Sequence, residues 1–161
     1  MRRHVNLEYW MDSERIGAKS GEERERLEAA YKEYADRLEK VVNRKNVKRV
    51  VEAFSKVARF GKDVETYLGF LDGKSGEWIT DGLLWCRNGK EVGYLLEAYR
   101  KYSDVLEGVA DGDYPWPIVA GFNKLARKGK DVEKYLKNVR ELGESARWYV
   151  WKVMFYENVT S

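Results

Sequence analysis

The 161-residue sequence contains no glutamine, one cysteine, one histidine and two prolines. Each scarcity closes off some chemistry. Cys86 stands alone, so no disulfide can form within the chain and no cysteine cluster can hold zinc. His4 is the only histidine and sits in an N-terminal tail. Ser-His-Asp and Cys-His nucleophiles, and most histidine acid–base chemistry, are excluded with it. An enzyme would be left with carboxylates, lysines and tyrosines, and carboxylates are so widespread that no pair stands out as an acid and a base. No apolar run approaches the ~18 to 20 residues of a membrane span. No signal-peptide-like segment follows Met1-Arg2-Arg3-His4-Val5. The expectation is a cytoplasmic, non-enzymatic protein with no membrane segment, no metal and no cofactor.

What is abundant is charge. Thirty Lys and Arg stand against 27 Asp and Glu, a net charge of +3, and 43% of residues are apolar. A chain of this length makes one domain, 1–161, which buries roughly 70% of its unfolded surface. Many charges with few thermolabile side chains is the balance seen in heat-adapted proteins.

The sequence also repeats itself. Val50–Leu71 and Ile118–Val139 are identical at twelve of 22 positions at an offset of 68, where unrelated segments would share roughly one or two. A weaker third copy aligns Cys86–Val92 with Ala58–Val64 at an offset of 28. The shared core is Arg-x-Gly-Lys-acid-Val. Glycine there supplies a left-handed helix stop, Arg and Lys complement the helix's negative end, and Asp63 or Asp131 caps the next helix. Glu91 is a poorer cap, so the middle copy is the weakest.

Helical spacing flanks each core. Val47, Val50, Val51, Phe54, Val57 and Ala58 precede the first turn, and Val64, Tyr67, Leu68 and Leu71 follow it. The fold class predicted is all-α. About eight helices form three repeated hairpins (46–72, 75–108 and 116–142), with an N-terminal helix at 20–43 opened by a Ser20–Glu23 capping box. A C-terminal helix at 145–159 is apolar on nearly every face, the mark of burial. Residues 1–19 show no helical period and read as an arm.

Phosphate-loop and EF-hand spacings are absent: the Gly-Lys turns lack the full motif, and Asp111-Gly112-Asp113 reads as a solvated turn. Asn158-Val159-Thr160 matches a glycosylation sequon, without meaning in a cytoplasmic chain. The functional signal is clustered positive charge. Eight Lys or Arg fall between Lys40 and Lys62, and seven between Lys124 and Arg140. The candidate nucleic-acid contacts are Lys45, Lys48, Lys56, Arg59, Lys62, Arg87, Lys90, Lys124, Arg127, Lys130 and Lys134, forming a ridge for phosphates. A plainer reading is that these charges complement helix ends. The expected function is a helical-repeat binding protein that contacts nucleic acid or a nucleoprotein complex. The alternative is a protein–protein adaptor or homo-oligomeric scaffold using Trp148, Trp151 and Phe155 of the last helix.

Overall fold

The computed structural model describes residues 5–112 and 115–156. His4, Asp113, the Asn158 sequon and the last residues of the 145–159 helix lie outside the described residues. Within them the chain is all-α, with no strand. The helices are α1 Leu7–Ile16, α2 Gly21–Val41, α3 Val47–Arg59, α4 Val64–Phe70, α5 Ser75–Trp85, α6 Gly89–Val109, α7 Trp116–Arg127, α8 Val132–Leu142 and α9 Ala146–Phe155.

Eight of these meet the expectation, and α1 is added within the stretch read as an arm. The Asn6 side chain accepts the Tyr9 amide at 3.1 Å and starts α1. Leu7 and Met11, one turn apart, are buried as α1 packs on α3. Arg15 binds Glu8, Asp12 and, on α2, Glu28. A stripe of two buried residues is too short to show a period, so α1 is held by contacts that local patterning does not display.

The first and last turns share one backbone. Gly61 and Gly129 have φ of 70° and 72°. Behind them Lys62 N bonds Val57 O and Lys130 N bonds Leu125 O, each at 2.9 Å. Gly61 N and Gly129 N reach Ala58 O and Ala126 O at 3.0 Å, which completes a Schellman stop at both sites. Asp63 then accepts from Glu65 N and Thr66 N, and Asp131 from Lys134 N. The middle segment is different. Gly89 does not stop a helix; it is the first residue of α6, without positive φ. Asn88 caps α6 by accepting Glu91 N at 2.9 Å, while Glu91 accepts the Arg87 amide at 3.0 Å. Glycine there avoids a tight contact, because a Cβ would lie 3.2 Å from that of Phe60.

The 68-residue offset runs further than the turns. Helix α2 spans Gly21–Val41 and α6 spans Gly89–Val109, shifted by 68 at both ends, with ten of 21 residues identical. The buried residues of α2 are Leu27, Ala30, Tyr31 and Leu38. In α6, Leu95, Ala98, Tyr99 and Leu106 occupy the same four positions. The Tyr31 hydroxyl bonds Ser55 on α3, and the Tyr99 hydroxyl donates to Asn123 on α7 at 2.6 Å. These partners are again 68 apart. Helices α1 and α5, and a short 3-10 turn Gly143–Ser145 that leads into α9, start 68 residues apart in succession. The correspondence therefore sets α1–α4 beside α5–α8, with α9 at the place of α1 and α5.

The core lies between α3, α5 and α7 and the helices beside them. Tyr31, Tyr67, Tyr99 and Tyr135 are fully buried in it, each with its hydroxyl bonded. The final helix corrects an expectation. Helix α9 buries only Ala146, Val150 and Val153, while Trp148, Trp151 and Phe155 are 62%, 49% and 61% exposed. Helix α9 packs on α7 and α8, and no helix among the described residues covers its other side.

Candidate interaction surfaces

Helices α3, α5 and α7 end where α4, α6 and α8 begin, and most of the candidate basic residues gather there. The C-terminal carbonyls of the first set are partly negative and attract cations. Lys56 is half-buried and donates to the carbonyls of Leu84 and Cys86 at 2.9 and 2.8 Å, closing the end of α5. Burial holds its ammonium below the usual lysine pKa. Lys124 does the same for α9, donating to Met154 O at 2.7 Å. Both ammonium groups are committed to the fold.

The other candidates differ in their freedom. Arg59 is half-buried with its guanidinium 5.8 Å from the Phe60 ring, and its carbonyl accepts Arg26 Nε at 2.6 Å. Lys62 is exposed and its stem lies along Gly89 and Gly93 of α6. Arg87 is exposed and pairs with Glu91 at 3.2 Å. The Lys90 ammonium stands 5.7 Å over the Tyr94 ring. Arg127 stands 5.8 Å over the Trp85 ring. Lys130 follows the Gly129 stop, and Lys134 lies in the first turn of α8. Lys45 and Lys48 are at the other end of α3, Lys48 with its ammonium 6.0 Å from Trp10, so these two do not join the cluster.

Two aromatic residues that sequence reasoning did not single out complete this edge. Trp85 is 64% exposed and Tyr94 41% exposed. Tyr94 covers Gly129 as the stem of Arg26 covers Gly61, at equivalent positions of the two halves. That substitution of Tyr for Arg, next to a conserved-in-place Leu27/Leu95 pair and off the buried stripe, was a readable signal. Contacts join Trp85 to Arg127, Gly129 to Tyr94 and Tyr94 to Lys90 on one side, and Gly93 and Gly89 to Lys62 and Phe60, and Phe60 to Arg59, on the other.

A second surface lies at the C-terminal end. The rings of Trp151 and Phe155 are 5.2 Å apart, and the Lys152 ammonium sits 3.6 Å over Trp148. An open groove of about 970 Å³ runs between α9 and the start of α7, with Ile118, Val150, Trp151, Met154 and Phe155 on its walls. Comparison with known proteins returns no matching family model, no matching curated protein and no matching solved structure. Among the described residues, no helix is long and apolar enough to cross a membrane.

Proposed function

We propose that this chain is a non-enzymatic helical-repeat protein that binds single-stranded nucleic acid along the edge built by Trp85, Tyr94 and the cations around them. The observation that carries the reading is the pair of solvent-facing rings, each beside a cation and set among Lys62, Arg87 and Lys130. Bases stack on exposed aromatic rings whatever their sequence, worth about 1 to 3 kcal/mol per base, while Lys and Arg follow the phosphates. Duplex DNA keeps its bases stacked inside and would meet the cations alone.

Fluorescence anisotropy with labelled single-stranded DNA, single-stranded RNA and duplex DNA across a salt series tests this. Single strands should bind more tightly, with affinity falling steeply as salt rises. Trp85→Ala should weaken single-strand binding by roughly 5- to 100-fold, the range that stacking energies imply. Replacing Arg127 and Lys90 by alanine should flatten the salt slope. No binding at micromolar protein, or a duplex preference indifferent to Trp85, overturns the proposal. The adaptor reading rests on the separate surface of α9.

A further inference from the structure

We propose that the open face of α9 is the interface of a two-fold symmetric homodimer. The first argument is positional. Helix α9 stands 68 residues after α5, and α5 is covered on its far side by α6 and α7. The cover is close: a Cβ on Gly82 would lie 2.9 Å from side-chain atoms of Leu95 and Asn123, and Asn123 donates to Trp78 O at 3.1 Å. The α9 positions equivalent to Trp78, Gly82, Leu83 and Cys86 are Ala146, Val150, Trp151 and Met154, all of which line the groove. The groove is thus the counterpart of an interface that this chain already makes with its own helices, left uncovered among the described residues.

The large apolar residues that α9 leaves exposed point to a partner. Helix α9 exposes Trp148, Trp151 and Phe155, with the rings of Trp151 and Phe155 5.2 Å apart, whereas α1 exposes Tyr9 and Ile16 beside Glu8, Asp12 and Ser13. Large clustered apolar patches of this kind mark interaction sites.

Head-to-tail addition does not suit the surface. In a second copy the helices that would play the parts of α6 and α7 are α2 and α3, and both are already covered by α1. Val150 also fills the space that Gly82 leaves open for such a close approach. What a second copy has free is its own α9 face, and pairing like with like closes the assembly at two. The charges agree. Glu144 and Arg147 both border the groove, one turn apart, and neither has an ion pair among the described residues. A two-fold axis near the start of α9 sets Glu144 opposite the partner's Arg147, twice over, and lets each copy's indoles enter the other's groove.

Sedimentation velocity on the full chain, without nucleic acid, is the test, so its outcome is independent of the stacking edge. At about 100 µM, where a dimer of micromolar affinity is formed, the mass should be twice the 18.9 kDa of the chain. Glu144→Arg alone and Arg147→Glu alone should each weaken the dimer by about tenfold or more, because like charges then face each other. Combining both restores opposite charges across the axis and should restore the dimer. Trp151→Ser should give a monomer whose circular dichroism matches the parent. A parent that stays monomeric overturns the proposal, and leaves the face to a different protein. So does a mass that grows past two copies, or a doubly swapped chain no better than the single variants.

Discussion

Four phenols illustrate how far single residues can be read. Tyr67 and Tyr135 were recognisable as core from their place in matched stripes, and both are fully buried. Their hydroxyl partners were not recognisable, because Thr80 and the Ile118 carbonyl reach them from other helices. The same blindness applied to Lys56 and Lys124, which look like exposed cations in sequence but close helices some thirty residues downstream. Burial pushes the Tyr31 phenol up to about 12, and those of Tyr67, Tyr99 and Tyr135 well above the usual phenol range. The sign of the linkage follows. Below about pH 10 folded and unfolded chains hold these protons alike. Above it the unfolded chain releases them first, so stability falls as pH rises. Lys56 pulls the other way, as one group against four. Urea titrations from neutral pH to about pH 12 should show a flat stability up to about 10 and a steep decline beyond it, with the last part of the phenolate absorbance, from these four buried side chains, appearing together with unfolding.

Individual helices show where local chemistry was enough. The stops at Gly61 and Gly129 and the caps at Ser20, Asp63 and Asp131 are all decided within six residues, and each is where the sequence puts it. Helix α1 escaped because two buried residues make no period. The middle turn was read one element too early, since Arg-x-Gly-Lys-acid-Val is also what a capped helix start looks like when Asn precedes the glycine. In α9 the sequence showed an apolar helix but not that only one side has a neighbour. The two tryptophans Trp78 and Trp148 separate these cases. Trp78 is buried in α5, so Trp78→Ala should cost about 3 to 5 kcal/mol. Trp148→Ala, in dilute solution, should change stability by no more than about 0.5 kcal/mol. Urea unfolding of both variants checks the contrast, and equal losses would mean that α9 is buried as its composition suggested.

For the molecule as a whole, the matched halves meet at α5, which packs on α3 and α4 behind it and on α6 and α7 ahead. Where matched units touch mainly their neighbours, stability is nearly a sum of unit and neighbour terms. Among the glycines, Gly76 of α5 makes the closest approach across that junction: a Cβ there would lie 2.8 Å from Phe70 O and 2.9 Å from Leu71 O of the preceding half. Gly76→Ala should therefore destabilise by about 1 to 3 kcal/mol through overpacking, and it should weaken the coupling between halves more than either half. Thermal unfolding followed by circular dichroism should broaden or split in this variant, where the parent melts in one step. The offset of 68 continues along α2 and α6 in scattered identities, ten of 21 residues, only four of which are buried in α2; without the glycine stops and aspartate caps of the strongest 22 residues, they mark no turn.

That likeness bears on how the chain reaches its native state. Helices α2 and α6 present the same four side chains to α3 and α7, so hydrophobic contact alone hardly tells a newly collapsed chain which pairing is right. The discriminating features are small: Ser55 against Asn123 beneath the tyrosine hydroxyl, and Ala53 against Gly121, where a methyl would lie 2.4 Å from the Tyr135 hydroxyl oxygen. Chain connectivity must do the rest, since α2 reaches α3 across a five-residue loop before α7 is near. Emergence from the ribosome in order, one half before the other, would spare the chain a kinetic trap that refolding from denaturant presents all at once.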